Sequence, residues 1–254
     1  MPSDASPPLR IIGSYVSPYV RKVMACIHLK GLAYVIDPIT AFYGNDEFER
    51  LSPLRRIPVL VDRDLELSDS SVICNYLEEA YPDPPLLPGG AGDRAKARWL
   101  EEYADTRLGD VFIWGLFYQK IVRPIIWGEA GDQARIDKTL AEDLPREMDY
   151  LETQLPAKGF LFGEAIGLAD IAVATFFRNG AYAGFEPNRS RWPRVAEFVE
   201  RALAQPCFAS FLPFEQAQLS TDPKGRRQAL LAAGAPLTKE TLGTREPKKG
   251  VMRL

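Results

Sequence analysis

Between Pro82 and Gly90 the chain reads Pro-Asp-Pro-Pro-Leu-Leu-Pro-Gly-Gly, a run that no helix or strand can cross. Each proline removes a backbone donor and fixes φ, and the closing glycines favour turns. The run therefore divides the chain, and the patterns on its two sides differ. Before it, short aliphatic and β-branched stretches alternate with helical spacing; from Asp93 onward the strand signal stops and only the helical period remains. A chain of 254 residues is long enough for two domains with a core each. The division predicts a mixed α/β domain at 9–81, a linker at 82–92, an all-helical domain at 93–215 and a basic tail at 216–254.

In the first domain, Leu9-Arg10-Ile11-Ile12 reads as a strand, followed by the turn Gly13-Ser14-Tyr15-Val16 and then Ser17-Pro18. Val20, Val23, Met24 and Ile27 recur at helical spacing until Lys30-Gly31 supplies a stop. Ala33-Tyr34-Val35-Ile36, ending at Asp37-Pro38, is the next strand, which makes a right-handed parallel β-α-β unit. Residues 40–55 are polar, with a short helix around Asp46–Leu51; Ile57–Val61 and Leu65–Leu67 flank Asp62-Arg63-Asp64 as an antiparallel hairpin. Ser68-Asp69-Ser70-Ser71 then opens a helix carried by Val72, Ile73, Tyr76, Leu77 and Ala80.

Two helix mouths thus present hydroxyls. At Ser17-Pro18 a favoured N-cap precedes a favoured first-turn proline, which makes a good helix start. The same geometry places a hydroxyl beside unpaired amides at the positive end of a helix dipole, which suits an anion.

The second domain carries helix patterns at 95–118, 131–155, 168–183 and 192–205, with Pro145 expected to kink or break the second. Asp170 is placed to cap backward over Gly167, with Ile166 stapling onto Ile171. Beyond Glu215 the pattern fades. Residues 216–254 carry eight basic side chains against three acidic ones, and the expectation is an extended, solvated tail lying on its own protein or on a sister subunit.

Composition narrows the function classes. With 46% hydrophobic and 26% charged residues and a formal charge of -3, the chain is that of a globular protein rather than a nucleic-acid binder. Residues 1–8 have no basic n-region or apolar core, so no secretory signal is expected, and no stretch approaches the ~18 apolar residues of a membrane span. Cys26, Cys74 and Cys207 are far apart and set in apolar surroundings, consistent with buried reduced thiols and a cytoplasmic protein. His28, the only histidine, has a structural place in its helix, and no His, Cys or carboxylate spacing suggests a metal site.

Three features occur in a fixed order: Ser17-Pro18 after the first strand; Arg55-Arg56-Ile57-Pro58-Val59-Leu60; and Asp69-Ser70-Ser71-Val72-Ile73 followed by Tyr76-Leu77-Glu78. With Leu168-Ala169-Asp170-Ile171 and Arg191-Trp192-Pro193 downstream, this set resembles the glutathione S-transferase superfamily over roughly residues 9–215. The resemblance implies a thioredoxin-like α/β N-terminal domain, an all-α C-terminal domain and a homodimer, with glutathione as co-substrate. It implies a cis Pro58, with the Ile57 backbone meeting the cysteinyl part of glutathione, and Asp69 and Ser70 holding the γ-glutamyl end. Arg56 matches a position that contacts the glycyl carboxylate or its surroundings.

Ser17 matches the catalytic position of the serine-type classes, such as tau, theta and zeta, and its spacing to Arg21 fits the family. Its implied role is a hydrogen bond to the glutathione sulfur. A thiol of pKa ~8.5 is about 3% ionised at pH 7, and lowering it by ~2 units raises that to about 75%, worth roughly 2.7 kcal/mol. Ser14 is the alternative hydroxyl; Tyr15 and Tyr19 could present phenols and are read as spectators or substrate contacts. Val20 stands where a glutaredoxin has its second cysteine, so the site lacks a protein thiol for disulfide exchange. Trp114 and Tyr118, from the cluster Phe112, Trp114, Phe117, Tyr118 and Trp127, fall where the family builds a hydrophobic substrate pocket, and Asp105 is a candidate cross-subunit contact to the glutathione ammonium. The implied function is activation of the glutathione thiolate for attack on a hydrophobic electrophile. Glutathione-dependent isomerisation, dehalogenation or ether cleavage, or a non-catalytic binding module, are the alternatives the same motifs allow.

Overall fold

The structure, a computed structural model, describes residues 7–248. Met1–Ser6 and 249–254, including the tail's Lys249 and Arg253, lie outside the described residues. The chain forms two compact units, one made of the residues up to Pro84 together with those from Ser210, the other of Pro85–Ala209.

The first unit is built on strands β1 (Leu9–Ile12), β2 (Tyr34–Asp37), β3 (Val59–Asp62) and β4 (Leu65–Ser68) in the order β2-β1-β3-β4. The β1–β2 pair is parallel, joined by a helical crossover; β1–β3 and β3–β4 are antiparallel, the latter joined by a tight hairpin. Helix α1 (Pro18–Leu29) joins β1 to β2, α2 (Asp46–Leu51) precedes β3, and α3 (Ser70–Ala80) follows β4 and packs on α1. Ile11, Ile12, Val20, Val23, Ile27, Leu60, Ile73 and Leu77 are completely buried, so the apolar stripes read from the sequence are the core. A second cluster of Ile12, Ile39, Phe48, Leu51 and Val59 holds α2 against the sheet.

The sequence suggested that the chain beyond Glu215 is an extended, solvated tail lying on its own protein or on a sister subunit. Its described residues do lie on their own protein, but as an ordered part of the first unit rather than a solvated segment. Helices α10 (Leu212–Ser220) and α11 (Arg226–Ala232) are regular, and Leu230 is completely buried. Residues 236–238 then lie along the outer edge of β2, where Ile36 donates to the Pro236 carbonyl (2.8 Å) and accepts from the Thr238 amide (3.0 Å), and the chain continues past residues 42–45, with the Thr244 and Lys248 amides donating to the Tyr43 and Phe42 carbonyls. The Leu242 amide donates to the buried Asp37 carboxylate at 2.6 Å, and the Leu242 side chain packs on the Phe48 cluster. The physical reason is the unpaired edge of β2, a row of amides and carbonyls that an added strand can pair.

Among its described residues the second unit is helical apart from its connections, of which the longest, 155–167, carries one isolated bridge between Phe160 and Gly163. Helix α4 (Ala91–Tyr103) continues without a break into a stretch of wider, π-type turns over Ala104–Trp127, which Gly128 ends at φ 65°. Helices α5 (Gln133–Lys138) and α6 (Leu144–Gln154) follow, with a wide-turn segment at Thr139–Asp143 between them, then α7 (Leu168–Tyr182), α8 (Pro193–Leu203) and the short α9 (Pro206–Ala209). Pro145, expected to kink or break the second helical stretch, does not end it, but the helix changes from wide turns to α6 immediately before it. It sits in the first turn of α6, where no intrahelical donor is required of it, and the wide turn before it absorbs the mismatch. Helix α7 is buried on most of its circumference between α4, α8 and the 104–127 helix. A Cβ at Gly180 would stand 2.7 Å from the Phe112 ring, so glycine there is what lets these helices close. Asp170 caps the start of α7, accepting from the amides of Gly167 (2.9 Å) and Leu161 (2.8 Å). The proline-rich segment is tied down here too, since the Leu86 carbonyl accepts from the Leu168 amide at 2.9 Å.

Candidate functional site

Register decides which turns meet. Ile12 of β1 lies opposite Asp37 of β2 and Val59 of β3, and Val59 opposite Ser68 of β4, so these residues form one row across the sheet. The chain leaves β1, enters β3 and leaves β4 just beyond that row. The turn 13–17, the Ile57-Pro58 step and the Asp69-Ser70 corner therefore share one end of the sheet. A Cβ on Gly13 would stand 2.5 Å from Val20 and 3.3 Å from Ile57, which shows how closely the first turn lies against α1 and the second segment.

Ser14 and Ser17 take different roles in the first turn. Ser14 is buried; its Oγ donates to Gln218 Oε1 (3.1 Å) and accepts from the Val16 amide (3.2 Å). Ser17 is half-buried at the N-cap of α1, with its Oγ accepting from the Val20 amide at 3.4 Å. Among the described residues the Ser17 hydroxyl has no acceptor for its own proton. Tyr15 faces inward: its ring is buried, its hydroxyl meets that of Tyr34 at 3.3 Å, and burial holds its phenol protonated far above the usual range. Tyr19 is half-buried on the first turn of α1.

In the second segment the Ile57–Pro58 peptide is cis. The Ser52 hydroxyl clamps the residue before it, donating to the Arg56 carbonyl (2.8 Å) and accepting from the Arg56 amide (2.9 Å). Among the described residues neither the amide nor the carbonyl of Ile57 has a hydrogen-bond partner. The two adjacent arginines differ. Arg55 is buried at φ 49°, donating to Glu49 (2.9 Å) and the Gly44 carbonyl (2.8 Å), whereas the exposed Arg56 side chain makes no ion pair among the described residues.

In the third segment Asp69 holds φ 87° and ψ 127°, outside the regions that L-residues ordinarily occupy. Its Oδ1 accepts from the amides of Ser71 (2.9 Å) and Val72 (3.2 Å), and these caps hold the strained corner. Its other oxygen and the hydroxyl of the buried Ser70 have no partner among the described residues. Lys22, completely buried on α1, reaches the Ser71 hydroxyl at 3.0 Å and puts a cation beside the same helix mouth.

The sequence motifs did not single out Gln218, Glu215 or Lys22. Arg21 and Lys22 on an otherwise apolar helix were the available signal, because buried charges require partners. Those of Arg21 are far along the chain: it forms a two-bond pair with the buried Glu215, Nε at 2.9 Å and Nη2 at 2.8 Å.

The remaining sequence candidates lie in the helical unit. Trp114 and Tyr118 are one turn apart with ring centroids 5.4 Å from each other, Trp114 half-buried and Tyr118 nearly buried. Asp105 lies one residue into the wide-turn helix. The same unit holds a cavity of about 130 Å³ lined by Asp110, Gly115, Arg135, Lys138, Thr139 and Asp143, whose charges pair with one another. Among the described residues no group of three His, Cys, Asp or Glu side chains could hold a metal ion, and no helix is long and apolar enough to cross a membrane. His28 is exposed near the end of α1, with Nδ1 3.4 Å from the Ser210 hydroxyl.

A four-stranded α/β unit with unmet polar groups at one sheet end, in one chain with an all-helical unit, defines a thioredoxin-like fold with a helical companion. Comparison with known proteins agrees. Residues 11–85 match the model of the glutathione S-transferase N-terminal domain, and residues 113–206 that of the C-terminal domain. Glutathione S-transferase 3 of Zea mays is 31% identical over 210 residues, covering 79% of this chain and 91% of the relative. A glutathione S-transferase structure from Rhodospirillum rubrum F11 superposes with a TM-score of 0.76 at 28% identity, covering 87% of this chain and 99% of the other. One from Methylobacterium radiotolerans, solved in complex with glutathione sulfonate, does so with a TM-score of 0.67 at 25% identity, covering 80% and 94%. The chain belongs to the glutathione S-transferase family, and it is a transferase of that fold.

Proposed function

We propose that the protein binds glutathione along the sheet end described above and ionises its thiol for attack on a hydrophobic electrophile, with Ser17 as the hydrogen-bond donor to sulfur. The observation that carries this reading is the set of unmet groups there: the Ser17 hydroxyl proton, the Ile57 amide and carbonyl, the free oxygen of Asp69, the Ser70 hydroxyl and the Arg56 guanidinium. An extended peptide needs such a set. Ile57, preceding Pro58, offers strand-like hydrogen bonds to the cysteinyl backbone. Ser70 at its helix mouth suits the γ-glutamyl carboxylate, Asp69 the ammonium, and Arg56 the glycyl carboxylate. Ser17 is favoured over Ser14 because Ser14 already gives its proton to Gln218. Trp114 and Tyr118 are assigned to the electrophile as the paired aromatic surface of the helical unit. A cytoplasmic homodimer completes the reading by family analogy.

The test is the titration of bound glutathione, followed by thiolate absorbance, together with turnover of 1-chloro-2,4-dinitrobenzene. Ser17→Ala is expected to raise the bound thiol pKa and lower kcat/KM by about 10- to 100-fold, the loss of one hydrogen bond to a charged group. Unchanged titration and turnover in Ser17→Ala would remove Ser17 from the role, and absence of glutathione binding by calorimetry would leave only a binding module of another kind.

A further inference from the structure

The hydroxyl proposed to meet sulfur is half-exposed and anchored by a single long hydrogen bond, so something else must hold the turn that presents it. Within that turn the Ser17 amide donates to the Ser14 carbonyl at 3.0 Å, and the Val16 amide to the Ser14 hydroxyl at 3.2 Å. Ser14 thus closes the turn with its backbone and its side chain together, but only in the rotamer that aims its oxygen at Val16. That rotamer is fixed from outside. The Ser14 proton goes to Gln218 Oε1 at 3.1 Å, and the Gln218 amide is itself oriented because Nε2 donates to the Pro38 carbonyl at 3.2 Å.

Gln218 acts with its neighbours on α10. Phe211, Phe214, Glu215 and Gln218 recur at the spacing that places residues on one helix face. That face meets the turn throughout its length. Phe214 and Phe211 flank the Tyr15 ring at centroid distances of 5.0 and 6.2 Å, and Glu215 pairs with Arg21. Arg21 in turn donates through Nη2 to the Val16 carbonyl at 3.3 Å, and its own amide to the Ser17 carbonyl at 2.9 Å. Both polar groups of the Val16 backbone are therefore held by side chains that α10 orients.

We infer that α10 is a working part of the thiolate site and that Gln218 is a positioning residue, acting through Ser14 to fix the turn that presents the Ser17 hydroxyl. The inference rests on the assignment of Ser17, and its prediction is that binding and ionisation separate. Glutathione is held by groups of all three segments, so its affinity depends little on Gln218, whereas the sulfur hydrogen bond depends on the turn.

The experiment compares the full chain with Gln218→Met, Ser14→Ala, the double variant and Ser17→Ala, measuring glutathione affinity, the bound thiol pKa and the kcat and KM for chlorodinitrobenzene turnover. Gln218→Met keeps the side-chain length and removes both hydrogen bonds. It is expected to lower kcat by about 3- to 10-fold, to raise the bound thiol pKa by about half to one unit and to leave glutathione affinity within about 2-fold. Ser14→Ala deletes the other half of the same bond, so the double variant is expected to be no worse than the single ones. Additive losses, or an unchanged thiol titration in Gln218→Met, overturn the positioning role. Should Gln218→Met fail to fold, Ser14→Ala carries the test through the same titration. If Ser17→Ala titrates like the unmodified protein, it is the assignment of Ser17 that has failed; if Ser17→Ala differs while Gln218→Met does not, the positioning proposal alone has failed.

Discussion

The buried pair between Arg21 and Glu215 supplies a test of how the C-terminal segment is held. The side chains are 1% and 0% exposed, and the carboxylate accepts from Nε at 2.9 Å and Nη2 at 2.8 Å. Such a pair has little net value over well-packed apolar residues, because desolvating two charges offsets most of their attraction. Removing one partner is different. Glu215→Ala strands a guanidinium that water cannot reach, at a cost of about 3–5 kcal/mol. With a urea slope of roughly 3 kcal/mol per molar, that lowers the unfolding midpoint by about 1–1.7 M. Replacing both, Arg21→Met with Glu215→Leu, removes the stranded charge and is expected to return to within about 2 kcal/mol of the unmodified protein. Circular dichroism against urea for the three proteins decides the matter. A shift in Glu215→Ala below about 0.3 M, or a double variant as destabilised as the single one, would refute the reasoning, since either result means that the charge is not stranded.

Two further outcomes follow from the same structure. Burial raises the Asp170 carboxyl to about 6 in the folded protein, above its ordinary value, so its stabilising contribution is complete below about pH 4 and lost as pH rises through 6. Asp170→Asn is expected to flatten the stability profile by about 2 kcal/mol between pH 4.5 and 7, read from urea unfolding at those two values; parallel profiles would contradict it. Truncation after Ala235 uncovers the edge of β2 and takes the Leu242 amide from Asp37, so the shortened chain is expected to lose stability and to self-associate in light scattering, and a monodisperse truncation of full stability would show the strap to be dispensable.

Legibility in the sequence followed the range of the physics. The turns at the sheet end are written in local rules: Ser17-Pro18 is a cap and a first-turn proline, Asp69-Ser70 opens a helix, and α2 follows from Asn45 capping Phe48 at 2.9 Å. The strands and most helix boundaries rest on periodicity over a few residues, which is also local. What stabilises those turns was not legible. Gln218 and Glu215 meet Ser14 and Arg21 across some two hundred residues of chain, and nothing in either stretch names the other. The tail misled for a related reason, since residues 236–248 are largely polar and aperiodic and gain their order from contacts distant in sequence: the edge of β2, the Asp37 carboxylate, the Phe48 cluster and residues 42–45. Ser14 and Ser17 illustrate the difference most directly. Both are hydroxyls beside a helix start, and only their distant or missing proton acceptors distinguish them.

That distinction bears on how a neutral hydroxyl could ionise a thiol. The required shift of ~2 pKa units is worth about 2.7 kcal/mol. Arg21, the cation one turn into α1, contributes little net charge, because Glu215 neutralises it within 2.8 Å. The remaining sources are a hydrogen bond to a charged sulfur, worth about 1.5–3 kcal/mol, and the positive end of α1, worth about 0.3–1 kcal/mol. Together they reach the requirement without a neighbouring cation, but only if the hydroxyl is aimed at sulfur rather than free to rotate toward water. If Ser17 is the donor as proposed, the turn that α10 braces matters electrostatically: the hydroxyl has no charge of its own to offer, and its contribution to sulfur depends on how firmly it is aimed.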